Sequence, residues 1–257
     1  MIQYERIEKD GHAWAEITLN RPDKGNALNM SMLLQLDAAI AEIEAGRDLR
    51  AVVLRARGRF FCTGGDIEAW SAMPPHEMAR DWILPGIAVL ERLAALPQPV
   101  IAAITGHALG GGLELAMAAD LRIAVRTAKL GTPEVTLGML PGWMGVTRLA
   151  EMIGIARAKH MTLLGSPVTA AQALEWGLVT AVAEDEADLQ LQVDAWREKL
   201  CSNGPLAIAA VKGLFAAQLV DDRHAHASGV ALLKGTEDCS EGVRAFIEKR
   251  KPVYRNR

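Results

Sequence analysis

One stretch constrains this chain more than any other: Gly106-His-Ala-Leu-Gly-Gly-Gly-Leu-Glu-Leu-Ala-Met-Ala-Ala-Asp120. From Ala108 to Ala119 its only polar side chain is Glu114; the rest is apolar or glycine. The flanking runs Pro99-Val-Ile-Ala-Ala-Ile104 and Leu121-Arg-Ile-Ala-Val125 have the length and apolar character of strands. Gly110 to Ala119 therefore reads as a short helix, apolar on every face and so buried.

Three consecutive glycines open that helix, and each costs a helix interior about 1 kcal/mol against alanine. What they offer is bare backbone: N–H groups with no Cβ in the way, unpaired at the positive end of a helix dipole. Such groups suit an anion, or a carbonyl oxygen that gains negative charge. Glu114, one turn in, is a carboxylate in apolar surroundings, where its pKa rises and acid–base work near neutral pH becomes possible. Two plainer readings stand beside these: glycine for close helix packing, and Glu114 as a favourable first-turn acid.

The 257 residues suit one large domain, or one domain with a smaller appendage, and at 50% hydrophobic they can bury a sizeable core. The net charge of −3 gives no general reason to bind nucleic acid or an anionic membrane. Cys62, Cys201 and Cys239 show neither a disulfide framework nor zinc spacing, which fits a reducing, cytoplasmic setting and predicts no metal. Residues 1–8 alternate in polarity and carry early charge, unlike a signal peptide. Val100 to Ala119 is long enough to span a bilayer, but its glycines, His107 and Glu114 argue against it.

Taken in order, Ile2 to Glu8 and Ala13 to Leu19 read as strands about an Asp10-Gly11 turn. Asn20 to Asn29 reads as a loop, and Ser31 as the cap of a helix ending near Ala45. Arg50 to Ala56 is a strand of the kind buried in a parallel sheet. Gly58 to Asp66 reads as a second glycine-bearing loop, and a helix follows from about Glu77 to Leu96. Beyond the central helix come strands at Leu121 to Val125 and Lys129 to Gly131, then the loop Gly131-Thr-Pro-Glu-Val-Thr-Leu-Gly-Met-Leu-Pro-Gly-Trp143. That loop holds a second carboxylate, Glu134, which its place after Pro133 also explains as a helix-start acid. Helices dominate from Val146 to Gly165. Thr169 to Thr180 reads as capped helix, glycine stop and strand, and the chain is helical from about Ala187, with a boundary near residue 200. Alternating strands and helices make the class α/β. No dinucleotide or phosphate-loop fingerprint is present. His224 and His226 read as solvated, and Lys249-Arg-Lys251 as a basic tail.

These motifs together resemble the crotonase superfamily of enoyl-CoA hydratases and isomerases. The resemblance rests on Asn20-Arg-Pro22 with Asn26-Ala-Leu-Asn29, Phe61-Cys-Thr-Gly-Gly-Asp-Ile67, Pro99-Val-Ile-Ala-Ala103 and Gly106 to Ala116. Gly131-Thr-Pro-Glu134, Leu140-Pro-Gly142, Ala170 to Val179 and Phe246-Ile-Glu-Lys-Arg250 extend it along nearly the whole chain. It implies a spiral of ββα units over residues 1–200 and a helical trimerisation region over 201–257, assembled as a trimer or dimer of trimers. It implies an acyl-CoA thioester as substrate, with coenzyme A part of that substrate and no separate cofactor. The positions that match the family's oxyanion hole are Gly65 and Gly111; those that match its two glutamates are Glu114 and Glu134. Lys24, Ala27, Asp66, Ile67, Gly142, Trp143 and Met144 match substrate-binding positions. So do Phe246 and Lys249, which in the family reach the CoA of a neighbouring subunit. Having both glutamates favours hydration, with a Δ3,Δ2-enoyl-CoA isomerase and a non-catalytic acyl-CoA-binding protein as the alternatives.

Three departures stand out. Thr63 replaces a frequent alanine. Met144 and Val146 interrupt the usual Pro-Gly-x-Gly-Gly-Thr run, and are expected beside the acyl group. The segment Trp70 to Pro85 lacks a distinctive pattern and is expected to line the acyl pocket.

Overall fold

The computed structural model describes residues 1–216 and 223–257, with the backbone alone for residues 223–226. The reading of His224 and His226 thus falls on side chains outside the described residues.

The strands are β1 (Ile2–Lys9), β2 (His12–Leu19), β3 (Leu49–Ala56), β4 (Phe60–Cys62), β5 (Val100–Ile104), β6 (His107–Leu109), β7 (Leu121–Val125), β8 (Lys129–Gly131), β9 (Val168–Thr169) and β10 (Ala181–Ala183). They form two sheets, in the order β1-β2-β3-β5-β7-β10 and β4-β6-β8-β9. Pairing is parallel except for β1 with β2 and β8 with β9. The chain therefore winds as a spiral. β3 and β4, then β5 and β6, then β7 and β8 each send one strand to the larger sheet and the next to the smaller. Strands β3 and β5 are apolar along most of their length, as burial on both faces of a parallel sheet demands.

The helices are α1 (Met30–Ala45), α2 (Ile67–Trp70), α3 (Pro75–Glu77), α4 (Leu84–Ala95), α5 (Gly111–Met117), α6 (Gly145–Ile153), α7 (Ile155–Leu164), α8 (Ala170–Trp176), α9 (Glu186–Ser202), α10 (Pro205–Ala216), α11 (Arg223–Lys234) and α12 (Glu237–Glu248). The β1–β2 turn is closed by Asp10 and Gly11, both at positive φ (53° and 78°), which suits a two-residue hairpin. Helix α8 begins with the Thr169–Gln172 capping box and stops at left-handed Gly177. Near the chain's end, Lys212 reaches back to Asp120 (2.7 Å) and Arg50 donates to the carbonyl of Tyr254 (2.7 Å).

Three sequence expectations need correction. Helix α1 is capped by Asn29, whose side chain accepts from Met32 N at 3.0 Å. Ser31 lies inside the first turn, because Asn29 already holds the extended backbone a cap requires. The Gly58 to Asp66 segment contains β4, too short to show a period-two pattern among its glycines. The helix expected from Glu77 to Leu96 is interrupted by a π-helical turn, Met78–Ile83. Pro85 just beyond it has no N–H to donate back into the preceding turn, and the backbone widens there.

Candidate active site

The smaller sheet places the site. Gly65 follows β4, Gly111 follows β6 and Glu134 follows β8, so three adjacent strand ends deliver groups to one crevice, where open α/β sheets generally bind ligands. The backbone is preset around two donors. Gly64 (φ 108°) and Gly110 (φ 53°) each precede a donor residue, and the positive φ turns the next peptide so that its N–H faces the crevice. Among the described residues no acceptor meets Gly65 N or Gly111 N. The Gly65 peptide is held from the far side: Leu28 N donates to Gly64 O (2.8 Å) and Asp66 N to Leu28 O (2.7 Å).

Each glycine of the central run has its own reason. A Cβ on Gly110 would lie 2.8 Å from Glu134 Oε1, one on Gly111 would lie 2.6 Å from Trp143 Cζ3, and one on Gly112 would lie 2.3 Å from Cys62 O. Gly112 lets α5 pack against β4, and Gly111 leaves an N–H without an acceptor among the described residues.

Glu114 is 2% exposed. Its Oε1 accepts from Trp143 N (2.7 Å) and Gly145 N (2.8 Å), and a Cβ on Gly145 would sit 2.6 Å from that oxygen. Burial, then the charge of Glu134, push the Glu114 carboxyl up to about 7, against the pull of those two N–H groups. Burial also raises Glu134, whose Oε2 is buried with no partner among the described residues. Burial thus biases each carboxyl toward its neutral form.

Both carboxyls and both donor glycines line one cavity of about 200 Å3. Of the expected substrate-binding residues, Ile67, Gly142 and Trp143 lie in its wall. The segment from Trp70 to Pro85 supplies Trp70, Met78, Trp82 and Ile83. Met144 is a correction: it lies outside the wall and the residue is 38% exposed. Its backbone is left-handed (φ 70°), which brings the N–H groups on either side of it onto Glu114 and leaves the side chain outward. Val146 is likewise exposed rather than beside the cavity.

The remaining expected residues also lie outside the wall. Lys24 pairs with Glu68 (3.0 Å). Ala27 gives its carbonyl to Arg21 (3.0 Å), and Asp66 pairs with Arg21 (2.5 Å) while capping α2. Phe246 and Lys249 are at the end of α12, exposed and away from this chain's own cavity. Residue reading alone missed Asn26. It is fully buried, accepts from Arg21 N and donates to Arg57 O and Phe60 O, and so fixes the loop that carries Leu28 against Gly64. Its signal was the Asn26-Ala-Leu-Asn29 motif, which is scaffold rather than contact. Among the described residues no three His, Cys, Asp or Glu side chains group as metal ligands, and no helix is long and apolar enough to cross a membrane.

Comparison with known proteins identifies the family and the fold. The family model described as enoyl-CoA hydratase/isomerase matches residues 10–257. The short-chain-enoyl-CoA hydratase of Clostridium acetobutylicum is 38% identical over 250 residues, 95% of each chain. The (E)-benzylidenesuccinyl-CoA hydratase of Thauera aromatica is 38% identical over 258 residues, 97% of this chain and 98% of its own. The crystal structure of the enoyl-CoA hydratase from Bacillus anthracis superposes with a TM-score of 0.92 at 35% identity, covering 99% of both chains. A family match over nearly the whole chain, and relatives 38% identical along almost their full length, show that this chain belongs to the enoyl-CoA hydratase/isomerase family.

Proposed function

We propose that the protein is an enoyl-CoA hydratase that adds water across the 2,3-double bond of an acyl-CoA thioester. The observation that carries this reading is the convergence of a buried carboxyl, a half-buried carboxyl and two backbone N–H groups without an acceptor among the described residues on one small cavity. A thioester oxygen seated on Gly65 N–H and Gly111 N–H gains negative charge as water attacks C3, and fixed donors stabilise that charge better than mobile water does. Glu114, pinned through Oε1 by two N–H groups, leaves its other oxygen to orient the water and take its proton. Glu134, with an unpartnered oxygen, holds the proton that passes to C2. The hydroxyl adds at C3 and the proton at C2, so no redox partner is needed. CoA enters as part of the substrate, and the chemistry requires no separate cofactor.

An isomerase needs one shuttle base, and a binding protein needs none. Two carboxyls with separately built surroundings support hydration instead. The test is kcat for wild type, Glu114→Gln and Glu134→Gln, with hydration of crotonyl-CoA and isomerisation of a 3-enoyl-CoA run side by side. Loss of about 10²–10⁴ in hydration for each variant is expected. Full hydration by Glu114→Gln refutes the two-carboxyl mechanism, and an isomerisation lost only with Glu134→Gln establishes the isomerase. The same reading places the protein in a homo-oligomer, a trimer or a pair of trimers. The exposed Phe215, Phe246 and Ile247 of the last helices support that assembly.

A further inference from the structure

We infer that the acyl end of the cavity selects a compact planar group, an enoyl thioester bearing an aromatic ring on C3, over a flexible alkyl chain. The inference rests on the acyl-CoA reading above and adds the class of acyl group.

The chain is sparing with aromatic residues, with four Phe, six Trp and two Tyr in 257 residues, yet Trp70, Trp82 and Trp143 stand in this one wall. They come from three separate places: the end of α2, the π-helical turn and the loop before α6. The π-turn matters to the arrangement. With more residues per turn than an α-helix, it presents Met78, Trp82 and Ile83 to the cavity together.

Two of these rings are fixed. Trp82 and Trp143 are each 3% exposed, with centroids 5.3 Å apart and planes at 46°, so each blocks the other's rotation. Trp143 sits in a niche that glycines create: a Cβ on Gly86 would fall 2.1 Å from its Nε1, and one on Gly111 2.6 Å from its Cζ3. Its indole N–H is buried there without a partner among the described residues. A leucine at that position would carry no such orphaned donor, so the flat ring is retained at a cost in polar satisfaction. Trp70 and Trp82 also touch the reacting end, because a Cβ on Gly65 would lie 3.3 Å from Trp70 Nε1 and 3.0 Å from Trp82 Cζ2.

A rigid wall next to the oxyanion donors meets the substrate at C3 and its substituent. At about 200 Å3 the cavity is below the roughly 300–1,000 Å3 of sites for drug-sized ligands. A long alkyl chain would run against two rings packed on each other. A conjugated aryl group is already flat, loses little freedom on binding, and gains offset or edge contacts with the indoles. Water then adds as above, giving a 3-hydroxy-3-aryl-propanoyl thioester.

The test separates binding from turnover. Kd is measured by calorimetry for the saturated analogues 3-phenylpropanoyl-CoA and decanoyl-CoA, and kcat/KM for cinnamoyl-CoA and trans-2-decenoyl-CoA, on wild type, Trp70→Leu and Trp82→Leu. At least tenfold preference for the aryl member is expected in binding, and in kcat/KM where the thioesters are hydrated, with most of it lost in Trp70→Leu. Trp82→Leu serves as a second variant where it folds. Equal or tighter decanoyl-CoA binding by wild type overturns the inference whatever the kinetics show. Aryl-selective binding with no hydration of any thioester overturns the hydratase reading and leaves this one standing.

Discussion

At the scale of single residues, Glu114 opposes stability at the place where the proposed chemistry uses it. Its folded carboxyl stands at about 7 against an ordinary 4.5, so the native state holds the proton more tightly than the unfolded chain does. Its contribution to folding is full below pH 4.5, fades as pH rises to about 7 and is gone above it, a swing of about 3 kcal/mol. Glu114→Gln keeps an acceptor for Trp143 N and Gly145 N but carries no charge. It should therefore melt higher than wild type, by a margin that is larger at pH 8 than at pH 5. An equal margin at both pH values would show that the carboxyl does not titrate in this window. Wild-type hydration should fall as pH drops through about 7, because protonating the pair removes the base. Met144 acts through its backbone instead. The left-handed backbone costs a side-chain-bearing residue about 1–2 kcal/mol, while glycine gives back about 0.5–1 kcal/mol as unfolded-state freedom. Met144→Gly should thus leave stability equal or slightly higher in a denaturant titration, and leave the ratio of long to short enoyl-CoA turnover unchanged. A changed ratio would put that side chain in the acyl pocket.

At the scale of elements, the glycine run at the start of α5 separates two jobs that one substitution would confound. Gly111→Pro removes the donor N–H, and proline is tolerated at a first helical position. Its ring also introduces a Cβ, which the structure places 2.6 Å from the Trp143 ring. Gly111→Ala carries the same Cβ and keeps the N–H, so the two variants compared isolate the donor. The alanine variant should exceed the proline variant in kcat by about 10²–10³, the usual worth of one oxyanion donor. Equal rates in two folded variants would remove Gly111 from the oxyanion hole. The existence of α5 was legible because twelve residues with one polar side chain leave few other solutions. The first hairpin, β3 and the α8 capping box were equally plain from local pattern. The three-residue β4 was not legible, since its partner β6 is distant in sequence. Nor was the π-turn, which Pro85 and tertiary packing set together. Among the expected site residues, Glu114, Glu134 and the glycine run that holds Gly111 stood out from the residues themselves and Gly65 from the family resemblance, and Glu114, Glu134, Gly65 and Gly111 all line the cavity. Trp82 was not singled out, because a tryptophan in a run without clear periodicity carries no local sign of which cavity it faces. Met144 was placed wrongly because only φ distinguishes a backbone role from a side-chain role.

At the scale of the whole molecule, the described end of the chain exposes apolar surface that a monomer would leave wet. Phe215, Leu232, Phe246 and Ile247 are each at least 72% exposed, and all four lie on α10 to α12. Such faces are normally covered by another protein surface, and a second and third copy of this chain are the occupants that the proposed assembly supplies. The charges nearby are unequal. Arg250 is committed to Glu241 and Glu248 at 2.6 Å, whereas no partner meets Lys249, the left-handed cap of α12, among the described residues. Lys249 is therefore a cation at this tip with its charge available, and in the proposed assembly it would meet the phosphates of CoA bound to an adjacent copy. A phosphate contact remote from C2 and C3 contributes equally to ground state and transition state, so removing it raises KM and leaves kcat almost unchanged. Screening weakens an exposed contact of this kind within about 10 Å at 0.1 M salt, so the penalty of Lys249→Ala should shrink as salt is added. Sedimentation of wild type should give at least a trimer, and kinetics of Lys249→Ala at low and high salt should show the KM effect fading. A monomer with full activity would sink the assembly. A trimer whose KM is indifferent to Lys249 would keep the assembly and remove this residue from the CoA site.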